Sequence, residues 1–215
     1  MEIEKRDYPT KGEAIYILII TFLLLFAVSG ILSKVVAEGR KEGFLAEIFV
    51  IVPALWFVYK RGYSLRKVFR LNGVNFKIIF YSLLIGASLM VLNEEFERIV
   101  KIFFPLPQGI SELEFKMNEL LKANNAYEFI ILFIAGVLMA GFFEEMLFRG
   151  FLLYSFEKYM DITRAVIITS IMFAFIHYIW IVWLWYLVEV IVLGIILGVL
   201  SWKSNSIYPP VAIHI

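Results

Sequence analysis

Cysteine is missing from the chain altogether, and histidine occurs only twice. The first absence excludes disulfides, thiolate nucleophiles and Cys-ligated metals, and leaves the redox compartment undetermined. The second confines any imidazole chemistry to His177 and His214. Charge is scarce as well: Asp, Glu, Lys and Arg make up 18% of the 215 residues, where a soluble domain carries roughly a quarter. A net charge of +1 leaves no basic footprint for nucleic acid. Repeats and low-complexity tracts are also absent. What remains is apolar: 61% of residues, with 21 Phe, 11 Tyr and 5 Trp, and a mean hydropathy of +0.84. No soluble core of this size buries so much apolar side chain. The excess must face lipid, and the aromatic residues suit interfacial anchors.

A membrane span needs about 20 apolar residues at 1.5 Å rise each. Runs of that kind cover residues 14–33, 43–59, 76–92, 129–156, 165–182 and 183–202. The turn between the last two falls near residues 178–185, where Trp180, Trp183 and Trp185 fit an aromatic belt. A seventh helix is expected after Pro209-Pro210, since proline favours a helix's first turn. Nine residues from Ile207 cannot cross a bilayer, so this helix is expected to be cut off at Ile215. Residues 93–126 differ: they are rich in both signs of charge, and Ser111 opens Ser-Glu-Leu-Glu, the pattern of a capping box. They read as an amphipathic interfacial helix. The fold class expected is therefore all-α, a polytopic membrane protein of seven to eight transmembrane helices with one extra interfacial helix, forming a single transmembrane domain over residues 1–215.

Basic residues set the orientation. The polar tail, the loop 60–77, the turn around 149–164 and Lys203 place 13 Lys and Arg on one side, against 7 on the other. This expects a cytoplasmic N-terminus, and a tail followed by a retained helix because no small-residue cleavage site follows. The chain reads as an integral membrane protein of a prokaryotic cell membrane, or of the endoplasmic reticulum if eukaryotic.

Inside the spans lie Glu144, Glu145, Arg149, His177 and Glu189, with His214 early in the seventh helix. Ionisable groups at membrane depth cost about 2.5–3.5 kcal/mol each on insertion scales, which makes them functional candidates. A structural alternative exists for one pair: Glu145 and Arg149 are spaced i, i+4 in the order that favours a helix ion pair. Glu145 stands 13 residues from Lys158, His177 13 from Arg164 and Glu189 14 from Lys203, the basic residues that mark the cytoplasmic ends of their helices, a shared depth of roughly 20 Å. Two carboxylates and two imidazoles can activate water by general base catalysis. One Glu with two His also matches a catalytic zinc shell, so Glu144, His177 and His214 are metal candidates, although the His-Glu-x-x-His signature is missing.

These residues resemble a known family. Glu144-Glu145-Met146-Leu147-Phe148-Arg149 resembles the Glu-Glu-x-x-x-Arg motif of the CPBP intramembrane proteases, which include the type II CAAX prenyl endopeptidases and the bacteriocin-processing, or abortive-infection, proteins. Phe173-Ala174-Phe175-Ile176-His177 resembles the second motif, Phe-x-x-x-His. Gly194 to Gly198, then Ser206-Ile207-Tyr208-Pro209-Pro210 and His214, resembles the third region, so the likeness covers residues 128–215. The resemblance implies that Glu144 activates water, Glu145 is its paired acid, and Arg149 orients the carboxylates. His177 would share the water and His214 would stabilise the oxyanion. The family pattern adds an Asn or Asp four residues after the last His, beyond Ile215. Glu189 matches no motif and reads as a buried structural carboxyl, and Gly194 with Gly198 reads as close helix packing. The function implied is removal of the C-terminal tripeptide from prenylated CAAX proteins. The alternatives are a same-family protease for leader peptides or bacteriocin precursors, and a membrane scaffold without activity. Partners would be membrane lipid and a prenylated or other membrane-bound peptide. No cofactor is required by this reading; zinc is the divalent metal left open.

Overall fold

The computed structural model describes residues 6–35, 47–178 and 184–215, and every regular element among them is a helix. Helix α1, Lys11–Val35, opens on a reciprocal cap: the Glu13 amide donates to Thr10 Oγ1 at 3.1 Å, and the Thr10 amide donates to Glu13 Oε2 at 2.9 Å. Such caps satisfy two of the orphan amides at a helix start. Helix α2, Val52–Arg61, carries Pro53 in its first turn and is capped by Gly62, whose φ of 69° is the left-handed cap glycine tolerates. A short α3, Leu65–Val68, leads to α4, Phe76–Phe103, which Asn75 caps through the Lys77 amide. Then come α5, Gln108–Leu120, the long α6, Ala126–Glu157, α7, Ile162–Tyr178, α8, Leu184–Ser204, and α9, Tyr208–His214.

Among the described residues, four helices are long and apolar enough to cross a membrane: Lys11–Val28 of α1, Phe76–Phe103, Ala126–Glu157 and Trp185–Ser204; Ile162–His177 is apolar but shorter. The expectation of seven to eight spans thus has four full-length representatives among the described residues. The second apolar run falls short for a visible reason. Proline has no amide hydrogen to donate, and a new ten-residue helix starts at Val52, with Pro53 in its first turn, after turn residues 50–51. The turn expected around residues 178–185, with Trp180 and Trp183, lies outside the described residues, as do residues 36–46.

Two local expectations need correction. Residues 93–103 belong to α4 rather than to the interfacial helix, because their charges pair along one helix: Glu95 with Arg98, and Glu97 with Lys101 at 2.8 Å. Ser111 caps nothing; α5 already starts at Gln108, and the Ser111 hydroxyl donates to the Gln108 carbonyl at 2.8 Å.

The core gathers on the C-terminal half of α6, where every residue from Met146 to Leu153 is buried. Phe151 packs edge-on to Phe57 of α2 and stacks with Phe69, just after α3. Below it, buried Arg70 pairs with Glu157 at the end of α6, and its carbonyl accepts the Ile207 amide at 3.2 Å. The Ser206 hydroxyl donates to the Asn72 carbonyl at 2.6 Å. This knot fixes the turn that launches α9. Helices α7 and α8 run side by side, and the spacing is set by glycine: a Cβ on Gly194 would stand 2.9 Å from Ser170 Cβ, and one on Gly198 would stand 3.1 Å from Val166. That is the close approach expected of Gly-x-x-x-Gly in membranes. Helix α9 then sits between α4, α8 and the middle of α6.

Candidate active site

The middle of α6 alternates in winding. The stretches Leu132–Met139 and Met146–Leu152 are π-helical, and the Leu153 amide donates back five residues to the Phe148 carbonyl. Between them lies one ordinary stretch, Ala140–Glu145, carrying both glutamates at its end. Wide turns of this kind recur at functional sites because they re-aim side chains.

Adjacent helix residues diverge by about 100°, and the two carboxylates part accordingly. Glu145 is fully buried and accepts from Arg149 Nη1 at 2.8 Å, the ion pair expected from their spacing. Arg149 is itself 3% exposed, reaches towards the Gly194 carbonyl at 3.5 Å, and lies 4.1 Å over the Phe173 ring. So enclosed a guanidinium is committed to the buried ion pair with Glu145.

Glu144 turns the other way, towards both histidines. Its Oε2 is 3.5 Å from His177 Nε2 and 3.7 Å from His214 Nε2. The far nitrogens of both rings are anchored. His177 Nδ1 is 2.9 Å from the Phe173 carbonyl, which can only accept, so Nδ1 carries the hydrogen. His214 Nδ1 is 2.9 Å from Glu145 Oε1, the oxygen already held by Arg149. Each neutral ring therefore presents an Nε2 lone pair to Glu144. Three acceptors face one another without a donor, and Glu144 Oε2 is buried with no hydrogen-bond partner. A water molecule supplies the two hydrogens such a slot lacks.

The structure thus brings Glu144, Glu145, Arg149, His177 and His214 together, from α6, α7 and α9. Among the described residues, no group of three His, Asp or Glu side chains is disposed to hold a metal ion. Glu189 stands apart: it lines a cavity with His214 and faces Asn93 of α4. Sequence reasoning missed Glu47. It has a buried, unpartnered Oε2 and lies within electrostatic reach of Glu144, His177 and His214. The signal was available, as a lone carboxylate inside the apolar run 43–59.

A helical membrane protein with a buried cluster of glutamate and histidine is the class these features define. Residues 126–215, less than half of the chain, match the family model of the Rce1-like type II CAAX prenyl endopeptidases and are similar to that family, and every member of the cluster lies within them. No curated protein and no solved structure matches the chain.

Proposed function

We propose that the protein is an intramembrane endopeptidase that hydrolyses a peptide bond with water held between Glu144 and His177. The substrate proposed is a prenylated CAAX protein, losing its C-terminal tripeptide, approached from the cytoplasmic side on which the N-terminus lies. The observation that carries this reading is the donor-poor slot at Glu144 Oε2, with an imidazole nitrogen at 3.5 Å and another at 3.7 Å.

A water in that slot donates one hydrogen to Glu144 and one to His177 Nε2, which leaves its lone pair free for the scissile carbonyl. As the C–O bond forms, one water proton passes to Glu144, and the oxyanion faces His214. Before the attack His214 Nε2 takes up a proton from solvent, so that the ring donates Nδ1–H to Glu145 and Nε2–H to that oxyanion, and the proton returns to solvent as the product leaves. Glu144 then delivers its proton to the leaving nitrogen as the C–N bond breaks, and the second water hydrogen leaves with the new carboxyl group. Arg149 keeps Glu145 in place throughout. The chemistry matches the protease family to which residues 126–215 are similar. Purified protein in lipid nanodiscs, given a farnesylated CAAX peptide, should release the tripeptide, and Glu144→Ala should not. Equal release by both proteins would defeat the proposal.

A further inference from the structure

Beside His214 lies a cavity of about 500 Å³ lined by residues of α4, α8 and α9. This is within the range of small-ligand sites, roughly 300–1,000 Å³. Its walls are apolar, with Leu89 and Phe96 from α4, Val192 and Leu193 from α8, and Ile213 from α9. Its polar residues are His214 at one end, and Glu189, Asn93 and Tyr186.

Glu189, expected from sequence to be a buried structural carboxyl, has Asn93 as a polar neighbour. Its Oε1 is buried and has no hydrogen-bond partner among the described residues. The nearby ammonium of Lys101 is already shared, 2.8 Å from Glu97 and 2.8 Å from Glu114. An acceptor buried in an apolar wall is costly to leave unmade, and one that persists beside a cavity is poised for a donor that arrives with a ligand. The ligand must also be apolar along its length, to match the walls. Because the cavity reaches the imidazole that faces Glu144, its occupant lies next to the bond being cut.

We infer that this cavity is a substrate subsite that takes an apolar segment carrying a nitrogen hydrogen-bond donor, with Glu189 as the residue that recognises the donor. The inference rests on the protease reading for what the ligand is, and not for whether the cavity binds. The donor is either an ammonium, such as a lysine side chain, or a backbone amide N–H.

The test is binding without turnover, by native mass spectrometry of the Glu144→Gln protein in nanodiscs. The probes are dodecylamine, N-dodecylacetamide and methyl dodecanoate; the last has no N–H. A donor nitrogen should tighten binding by about tenfold or more over the ester, the scale of a hydrogen bond to a charged group. Adding Glu189→Leu should erase that preference, and Leu193→Trp should exclude all three probes by filling the space. Loss of amine binding in Glu189→Gln, with amide binding weak throughout, assigns the site to a cationic side chain. Amide binding retained in Glu189→Gln assigns it to a backbone N–H. Equal binding of ester and amine, or a preference that survives Glu189→Leu, overturns the inference. Should Glu189→Leu not insert, Glu189→Gln and Leu193→Trp decide the matter. Selective binding in a protein that cleaves nothing would leave the subsite standing and remove the protease reading alone.

Discussion

His214 Nδ1 and Arg149 Nη1 meet the same oxygen of Glu145, at 2.9 Å and 2.8 Å. One buried carboxylate thereby joins the seven-residue α9 to the middle of α6, across 69 positions of sequence. A helix of two turns has little stability of its own, so this contact and the Arg70 knot are what place the His214 ring.

Replacing Glu145 should therefore act on stability and activity together. Leaving either partner of the buried Glu145–Arg149 pair without the other costs on the order of 3–5 kcal/mol, which should appear as a lowered Tm in Glu145→Gln, where Arg149 is stranded, and in Arg149→Ala, where Glu145 is. The same change releases His214. In a double-mutant cycle, His214→Ala should then cost far less activity in the Glu145→Gln background than in the native protein. Additive losses would show that Glu145 and His214 act independently.

Glu144 predicts the opposite profile. It accepts no ion pair from α6, and its Oε2 has no hydrogen-bond partner, so Glu144→Ala removes no structural contact of comparable strength. Cleavage of a farnesylated peptide should fall by about 10²–10⁴-fold, the usual worth of a positioned general base, while Tm stays near the native value. Near-native turnover in this variant removes Glu144 from the mechanism. A parallel fall in Tm across Glu144, Glu145 and Arg149 variants would instead make the motif a structural staple.

Much of this site is legible in the sequence because helical spacing is rigid. The separation of Glu145 and Arg149 by four residues dictates their pairing, and Phe148 at the equivalent position from Glu144 leaves that carboxylate free. Apolar length likewise reveals α1, α4, α6 and α8. Contacts made only by tertiary packing are not legible. Nothing in the residues around His214 says that its ring reaches Glu145, or that Glu47 comes within electrostatic range of the cluster. The end of α4 was misread for a related reason. A run of charges looks like a boundary, whereas here the charges pair along a helix that simply continues.

Orientation rests on an excess of basic residues on one side, 12 against 7 once Arg149 is placed in the buried cluster, and single-cysteine labelling suits a chain that has no cysteine of its own. Ser64, at the cap of α3, and Asn118, exposed on α5, should become accessible from opposite faces of intact vesicles. Labelling of both from one face would refute the expected arrangement.

Metal dependence has a separate readout. A zinc site needs three protein ligands at about 2.0–2.2 Å from the ion, with each histidine held from behind. Turnover should persist in excess chelator, because the sequence carries no ligand motif of known zinc spacing and a Glu with a His can activate water unaided. Activity lost to the chelator and restored by zinc alone would make Glu144, His177 and His214 the ligands to mutate next.

Gly86 offers the sharpest way to move His214 without touching the cluster. A Cβ built there would stand 2.8 Å from the Ile213 carbonyl oxygen and 3.0 Å from Ile213 Cα. Both are backbone atoms, so no side-chain rotation relieves the clash, and either α4 or α9 must shift. Helix α4 is the easier to displace, since 6% of its apolar window is buried and its principal contact is with α9. Yet α9 is short, and the residue after Ile213 is His214. A misplacement of about 1 Å at a catalytic group can cost 10²-fold in rate, while alanine gains up to roughly 1 kcal/mol over glycine inside a helix. Gly86→Ala should therefore lose about 10–100-fold in kcat with little change in Tm. Gly109→Ala, in a helix where an added Cβ meets nothing within 4 Å, should leave both unchanged. Full turnover in Gly86→Ala would mean that α4 yields alone, and that contact with it does not set the position of His214.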